Sequence, residues 1–340
     1  MFNLAPYIDL PLMWGGIIAF AVFLYVLLDG FDLGIGIMFP FAPTDECRDK
    51  MMNTIAPFWD GNETWLVLGG GGLMVSFPLA YSIILPALYL PVMFMLIGLI
   101  FRGIAFEFRF KAHNETKKLW DYIFHFGSIL ATFSQGIILG SFIQGFEVTE
   151  RAFSGGVFDW LTPFSMMVGV ALLSGYVLLG STWLIMKTEG EVYNWARRIG
   201  LYIIFYVVVF MGIVSLWVPF LSDYIMNRWF TWPNFIFLAP VPMISLLVIL
   251  LLVYNLMNRN GDHKPFVYTV SLFVLCYLGL AISSWPWIVP HTFTIWEAAA
   301  APESLSLSLV GAAVMLPVIL FYSGYSYYVF RGKVGSKGLY

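Results

Sequence analysis

Charge is what this sequence has least of: 11% of its 340 residues are charged and 60% are hydrophobic. With a mean hydropathy of +0.83, it lies outside the range of water-soluble domains, which excludes a soluble globular protein. At about 20 apolar residues per bilayer crossing, the length allows eight to ten spans and no sizeable soluble domain. No Lys or Arg precedes Arg48. The charged head of a cleavable secretory signal is therefore missing, and the first apolar run is expected to stay in the mature protein. Two cysteines, Cys47 in a polar loop and Cys276 in an apolar run, are too few and too differently placed for a disulfide framework. The net charge of -3 comes with basic residues scattered at the ends of apolar runs, so nucleic acid has no patch to bind.

Apolar runs fall at 12–39, 61–77, 79–101, 122–145, 161–186, 199–220, 235–257, 266–287 and 304–330, nine in all. The second opens on Asp60 and Glu63 and holds the glycine run Gly69 to Gly72, which permits close helix contact or a break. Cytoplasmic loops are enriched in Lys and Arg, and that rule orients the chain. Nine spans with the N-terminus outside place Arg48, Lys50, Arg102, Arg109, Lys111, Lys117, Lys118, Lys187, Arg197, Arg198, Arg259, Lys264, Arg331, Lys333 and Lys337 on the cytoplasmic side. Only Arg151 and Arg228 remain outside. An eight-span count would scramble this bias halfway along. Trp229, Trp232, Trp285, Trp287 and Trp296 gather at the outer helix ends, as interfacial aromatics do. Tyr25-Val26-Leu27-Leu28 recurs as Tyr176-Val177-Leu178-Leu179, an echo that suggests two four-helix halves, over 1–145 and 161–287, with an extra helix over 304–330. The second copy has Gly180 and Trp183 where the first has Asp29 and Asp32, so any acidic function belongs to the first half.

Ionisable residues at membrane depth are costly and are functional candidates by default. Asp29 and Asp32 lie three residues apart, on one helix face, in the cytoplasmic half of the first span. Asp60 and Glu63 repeat that spacing at the cytoplasmic start of the second, and Arg102, Glu107 and Arg109 close the third on the same side. Two uses fit such a set: a hydrated proton-entry path, or an ion-pair network in which Arg102 neutralises Asp29 or Asp32 and fixes helix packing. For Asp60 and Glu63, complementing the helix dipole is a third.

A haem needs axial His, Met, Cys or Tyr at membrane depth. Of His113, His125, His263 and His291, only His125 lies in a span, so a bis-His site is not available. A lone histidine usually just finds a hydrogen bond, and the 16 methionines suit adaptable packing. Metal clusters and a nucleophile triad are absent, and Gly69 to Gly72 lacks the Lys-Ser/Thr ending of a phosphate loop. On residues alone the chain is a carrier of protons, quinone or a partner without its own redox centre. A free-standing ion-coupled transporter with helices broken near Gly69 and a purely structural partner subunit remain as alternatives.

Leu28 to Gly36, LDGFDLGIG, and Asn53 to Leu66, NTIAPFWDGNETWL, carry a resemblance that continues through Phe101 to Arg109 and Thr294 to Ala298. Over these motifs, and in order and length, the sequence resembles subunit II of the cytochrome bd-type quinol oxidases. The segment Gly103 to Glu107 is similar to the cyanide-insensitive branch. The resemblance implies an all-helical membrane protein of two four-helix bundles plus a peripheral helix. It also implies a haem-free subunit that packs on a subunit I bearing haems b and d, in the bacterial inner membrane. A structural quinone and small single-helix accessory subunits are left open, with membrane lipid around. In that family cytoplasmic protons are proposed to move through acidic residues matching Asp32 and Asp60, and Arg102 matches a family arginine. The expected proton path is thus Asp29, Asp32, Asp60, Glu63 and Glu107, with Arg102 and Trp59 in structural, ion-pairing roles.

Overall fold

The computed structural model describes residues 8–335, so Lys337, placed above among the cytoplasmic bases, lies outside the described residues. The chain is a helical bundle with two small hairpins. Helices α1 (Leu10–Met38), α2 (Asp45–Ile55), α3 (Trp59–Ser76), α4 (Pro78–Ala87), α5 (Tyr89–Lys111) and α6 (Asn114–Gln144) form the first part. Then come α7 (Pro163–Lys187), α8 (Gly190–Trp217), α9 (Asp223–Phe230), α10 (Asn234–Leu238), α11 (Pro240–Asn258), α12 (Lys264–Ser284) and α13 (Pro302–Val329). Hairpins β1 (Val148–Thr149)–β2 (Ala152–Phe153) and β3 (Trp287–Val289)–β4 (Phe293–Thr294) are antiparallel.

The long apolar runs become helices because a backbone in hydrocarbon must satisfy its own polar groups. Among the described residues eight helices are long and apolar enough to cross a membrane: α1, α5, α6, α7, α8, α11 with α10 before it, α12 and α13. Helix α3 has 18 residues, but Asp60, Asn62, Glu63 and five glycines dilute its apolar content. It still runs antiparallel to α13. Phe58, at its start, stacks on Tyr327 near the end of α13, with ring centroids 4.4 Å apart, and Ala300 N, just before α13, donates to the Ser76 carbonyl at 2.9 Å.

The third run, expected over 79–101, divides into α4 and α5. Proline lacks an N–H and its ring clashes with the carbonyl four residues back. Pro91 therefore opposes helix geometry at Ala87, and the chain turns at Leu88 (φ -111°, ψ 18°) before α5 begins. As a result α5 extends ten residues past the expected end, and Arg102, Glu107 and Arg109 lie inside it rather than closing a span.

Both ends of the bundle are tied. At one, Arg109, Arg48 and Lys117 pair with Asp121 and Asp49, Lys333 pairs with Glu189 and Asp262, and Arg197 Nε donates to the Leu256 carbonyl at 2.5 Å. The Cys47 thiol, 3.6 Å from Glu191, joins these two groups. At the other end Trp14 Nε1 donates to the Leu305 carbonyl, Trp296 Nε1 to Asp9, and Trp285 packs edge-on against Trp296.

The centre is set by close backbone approach. A Cβ at Gly34 of α1 would lie 1.8 Å from the Tyr176 carbonyl oxygen of α7, and one at Gly180 would lie 2.8 Å from the carbonyl carbon of Gly34. Small residues at such crossings let membrane helices pack by dispersion contact. Phe31 of α1 stacks on Trp183 of α7 at 4.1 Å. The echoed tyrosines meet here as well: Gln135 Nε2 of α6 donates to Tyr25 Oη at 2.7 Å, and Tyr176 Oη donates to Gln135 Oε1 at 2.8 Å.

Candidate functional site

Helix α1 carries Asp29 and Asp32 three residues apart, and both are buried completely. Helix α5 brings Arg102 beside them. A Cβ at Gly127 of α6 would stand 2.8 Å from the Gly98 carbonyl oxygen and 2.9 Å from the Arg102 nitrogen. The two glycines thus let α5 and α6 touch along the turn that holds the arginine. Its guanidinium is wholly buried and has three carboxylate partners: Nη2 donates to Asp29 Oδ1, Nη1 donates to Glu63 Oε1 at 2.5 Å, and Asp32 Oδ2 lies 3.7 Å from Nη2. The Trp59 ring lies 5.6 Å from the guanidinium carbon and packs on Phe106. The expected pairing of Arg102 with α1 is therefore present, and Glu63 joins it. A planar fork of five donors suits this shared arrangement better than a lysine would.

Asn62 completes the cluster. Its Nδ2 donates to Asp32 Oδ2 at 2.7 Å and to the Leu28 carbonyl at 3.1 Å, and its Oδ1 accepts from Tyr327 Oη of α13 at 2.9 Å. One oxygen of each aspartate is engaged in this way, while Asp29 Oδ2 and Asp32 Oδ1 are buried without a hydrogen-bond partner. Three carboxylates against one guanidinium leave two surplus negative charges if all are ionised. Glu63, with 28% of its side chain exposed, is the member that reaches the surface.

Two expected members stand apart. Asp60 is exposed at the first turn of α3, three residues before Glu63, and Glu107 is exposed on α5. Neither forms an ion pair among the described residues. Three residues advance a helix by about 300°, so side chains at this spacing point roughly 60° apart; on α3 that offset leaves Asp60 exposed while Glu63 reaches Arg102. Glu107 sits five residues beyond Arg102, on the opposite face of α5.

A second network, unforeseen from the sequence, closes α2, α5 and α6. Buried Arg109 pairs with Asp121 and with Asp49, 2.5 and 2.7 Å away, over the Phe39 ring. Burial pushes the Asp49 carboxyl up, but hydrogen bonds from Lys117 and Arg109 prevail and hold it below its ordinary range. His125 is buried on α6 with Nδ1 3.4 Å from the Gly36 carbonyl oxygen. No group of three or more His, Cys, Asp and Glu side chains poised to hold a metal ion occurs among the described residues.

A family model described as cytochrome bd terminal oxidase subunit II matches residues 10–330. Cytochrome bd ubiquinol oxidase subunit 2 of Bacillus subtilis (strain 168) is 29% identical over 335 residues, covering 96% of this chain and 97% of the relative. Cytochrome bd-I ubiquinol oxidase subunit 2 of Escherichia coli (strain K12) is 25% identical over 368 residues, covering 97% and 96%. A chain in the structure of bd oxidase from Geobacillus thermodenitrificans superposes with a TM-score of 0.72 over 94% of this chain and 97% of that one, at 18% identity, which shows a common fold.

Proposed function

The chain belongs to the cytochrome bd terminal oxidase subunit II family, and from that membership we propose that it is the haem-free subunit that stabilises a haem-bearing subunit I and leads cytoplasmic protons toward oxygen reduction. As a subunit of a quinol:oxygen oxidoreductase complex it is a multi-pass protein of the bacterial inner membrane. In this reading α3 is a ninth span, the N-terminus faces the periplasm and the C-terminus the cytoplasm. The antiparallel course of α3 along α13 supports that count, and the basic residues gathered at one end support the orientation. Two four-helix halves, α1, α3, α5, α6 and α7, α8, α11, α12, with α13 outside them, follow from the same alternation.

The haem-free reading rests on ligand supply. His125 is the one histidine within a membrane helix, and its Nδ1 is turned to the Gly36 carbonyl. Haems b and d then belong to subunit I, with membrane lipid around the pair; a bound quinone and single-helix accessory subunits would be additions to this core.

One observation carries the proton reading: the wholly buried Asp29 and Asp32, with Glu63 opening to the surface, share a single guanidinium. Buried charge is stable only when balanced, so the surplus is met by protons, and the unpartnered oxygens Asp29 Oδ2 and Asp32 Oδ1 are where they sit. Protons enter at exposed Asp60, pass Glu63 and reach the α1 pair. Arg102 holds the pair in register and lowers the cost of its ionised state. The test is turnover and haem content of the assembled oxidase with Asp32→Asn or Asp60→Asn. Both variants are expected to retain haem and lose turnover, Asp32→Asn the more. Undiminished turnover in both would leave the acids a packing role only.

A further inference from the structure

The last helix reaches the carboxylate cluster through one neutral residue. A side-chain amide has two ends of similar shape and opposite polarity. The Nδ2 end of Asn62 meets two acceptors, Asp32 Oδ2 and the Leu28 carbonyl, and the Oδ1 end meets one donor, Tyr327 Oη. Turned over, the amide would set its carbonyl against the Asp32 carboxylate, acceptor to acceptor, an arrangement that suits only protonated Asp32. Tyr327 is itself held firmly. Its ring stacks on Phe58 at 4.4 Å and meets Trp183 edge-on at 6.1 Å. Just beyond it the chain is pinned to α7: Lys187 Nζ donates to the carbonyls of Phe330 and Gly332, and Val334 N donates to the Lys187 carbonyl at 2.8 Å. Lys333 adds ion pairs to Glu189 and Asp262.

We propose that Tyr327 is a positioning residue: by donating to Asn62 it keeps the amide's N–H end on Asp32 and so sets the proton affinity of that carboxyl. The inference rests on the proton-conducting reading and extends it to α13, which contributes no charge to the cluster. The other titratable groups around the Asp29–Asp32 pair are Tyr25 on α1, Glu63 on α3, Arg102 on α5 and Tyr176 on α7, while the side-chain hydrogen bonds of Asn62 among the described residues go to Asp32, the Leu28 carbonyl and Tyr327.

The test is an infrared pH titration of the assembled oxidase, with the Asp32 carboxyl band identified as the one lost in Asp32→Asn, alongside turnover against pH. Tyr327→Phe keeps the ring stack and removes only the hydroxyl. Its Asp32 band is expected to titrate at higher pH than in the parent, with turnover lowered roughly 3- to 10-fold at unchanged haem content, the scale of one lost hydrogen bond. In an Asp32→Asn background the same substitution should change nothing further. Asn62→Leu removes the amide itself and should make the band insensitive to Tyr327→Phe, which carries the test if the single phenylalanine variant assembles poorly. An Asp32 band unmoved in Tyr327→Phe overturns the positioning role whatever the turnover. Full turnover in Asp32→Asn, together with a band shifted in Tyr327→Phe, would instead remove the conduction reading and leave the positioning intact.

Discussion

Replacing Arg102 by methionine keeps a long unbranched side chain in the cluster and removes its only positive charge. The guanidinium is wholly buried, and Asp29 and Asp32 have no water to turn to. Removing one partner of a buried ion pair costs about 3–5 kcal/mol. The same figure follows from protonation: an aspartate of ordinary pKa ~3.9, forced neutral at pH 7, costs about 1.36 kcal/mol per pH unit, or roughly 4 kcal/mol. The two routes agree, and the second fixes the pH dependence. A variant that must protonate a carboxyl in order to fold regains about 1.36 kcal/mol for each unit the pH falls. Arg102→Met is therefore expected to be destabilised by about 4 kcal/mol at pH 7 and by roughly 1–2 kcal/mol at pH 5. Thermal unfolding of the purified complex at both pH values measures this, with haem content as the check on assembly. The combined variant Asp29→Asn, Asp32→Asn, Arg102→Met removes buried charge of both signs and should recover most of the loss, while turnover stays low. A single variant as stable as the parent at pH 7, or equally impaired at pH 5 and pH 7, would refute the argument that Arg102 balances buried carboxylates.

Two further outcomes follow from packing and from the second ion network. Gly34→Ala puts a methyl group 1.8 Å from the Tyr176 carbonyl oxygen, so α1 and α7 must separate and the yield of assembled complex should collapse. Gly71→Ala, with nothing within 4 Å of the added carbon, should be neutral or stabilise α3 by about 0.5–1 kcal/mol; equal yields from both would contradict the crossing geometry. Asp49 has a carboxyl held below its ordinary range. Its contribution is therefore present above the usual carboxylate pKa and is lost as the pH falls through the lowered value. With 43% of the side chain exposed, solvent screening limits that contribution to about 1 kcal/mol. Asp49→Asn should lower thermal stability slightly at pH 7 and not at all in strong acid, as melting curves at the two pH values would record.

The long helices were readable from hydropathy because the bilayer imposes long apolar helices on a chain that crosses it. The third run was misplaced because its apolar neighbours keep the hydropathy average high across Pro91, and a hydropathy sum carries no backbone geometry, whereas that proline opposes the helix near Leu88. At the site, Asp29, Asp32, Glu63 and Arg102 were found because charge at membrane depth is rare. Asn62 and Tyr327 were missed because neither carries charge and tyrosine is common in this chain. Polarity alone, a lone amide three residues before the apolar part of α3, was the one available signal for Asn62, and the same reasoning would have found Gln135 inside α6. Asp49 and Asp121 fall outside the apolar runs of the sequence, where an acid needs no explanation, so their convergence on Arg109 is visible only in three dimensions. Asp60 and Glu107 stand outside the buried cluster because a shared helix does not fix a shared face.

The partnership of Asp29 with Arg102 spans 73 residues of sequence, and this sets a problem of timing during synthesis. The first helix leaves the ribosome with both aspartates and no counter-charge. At about 5–20 residues per second, the arginine follows roughly 4–15 s later. During that interval α1 is a poor resident of the lipid core, and α3, with Glu63 and its glycines, is a poorer one. Neither can settle until α5 enters, and the Gly34 crossing cannot close until α7 does. Membrane insertion of this chain is thus expected to be a delayed, collective event in which the first helix waits for the seventh, and the acidic residues proposed to carry protons are those that hold its assembly back.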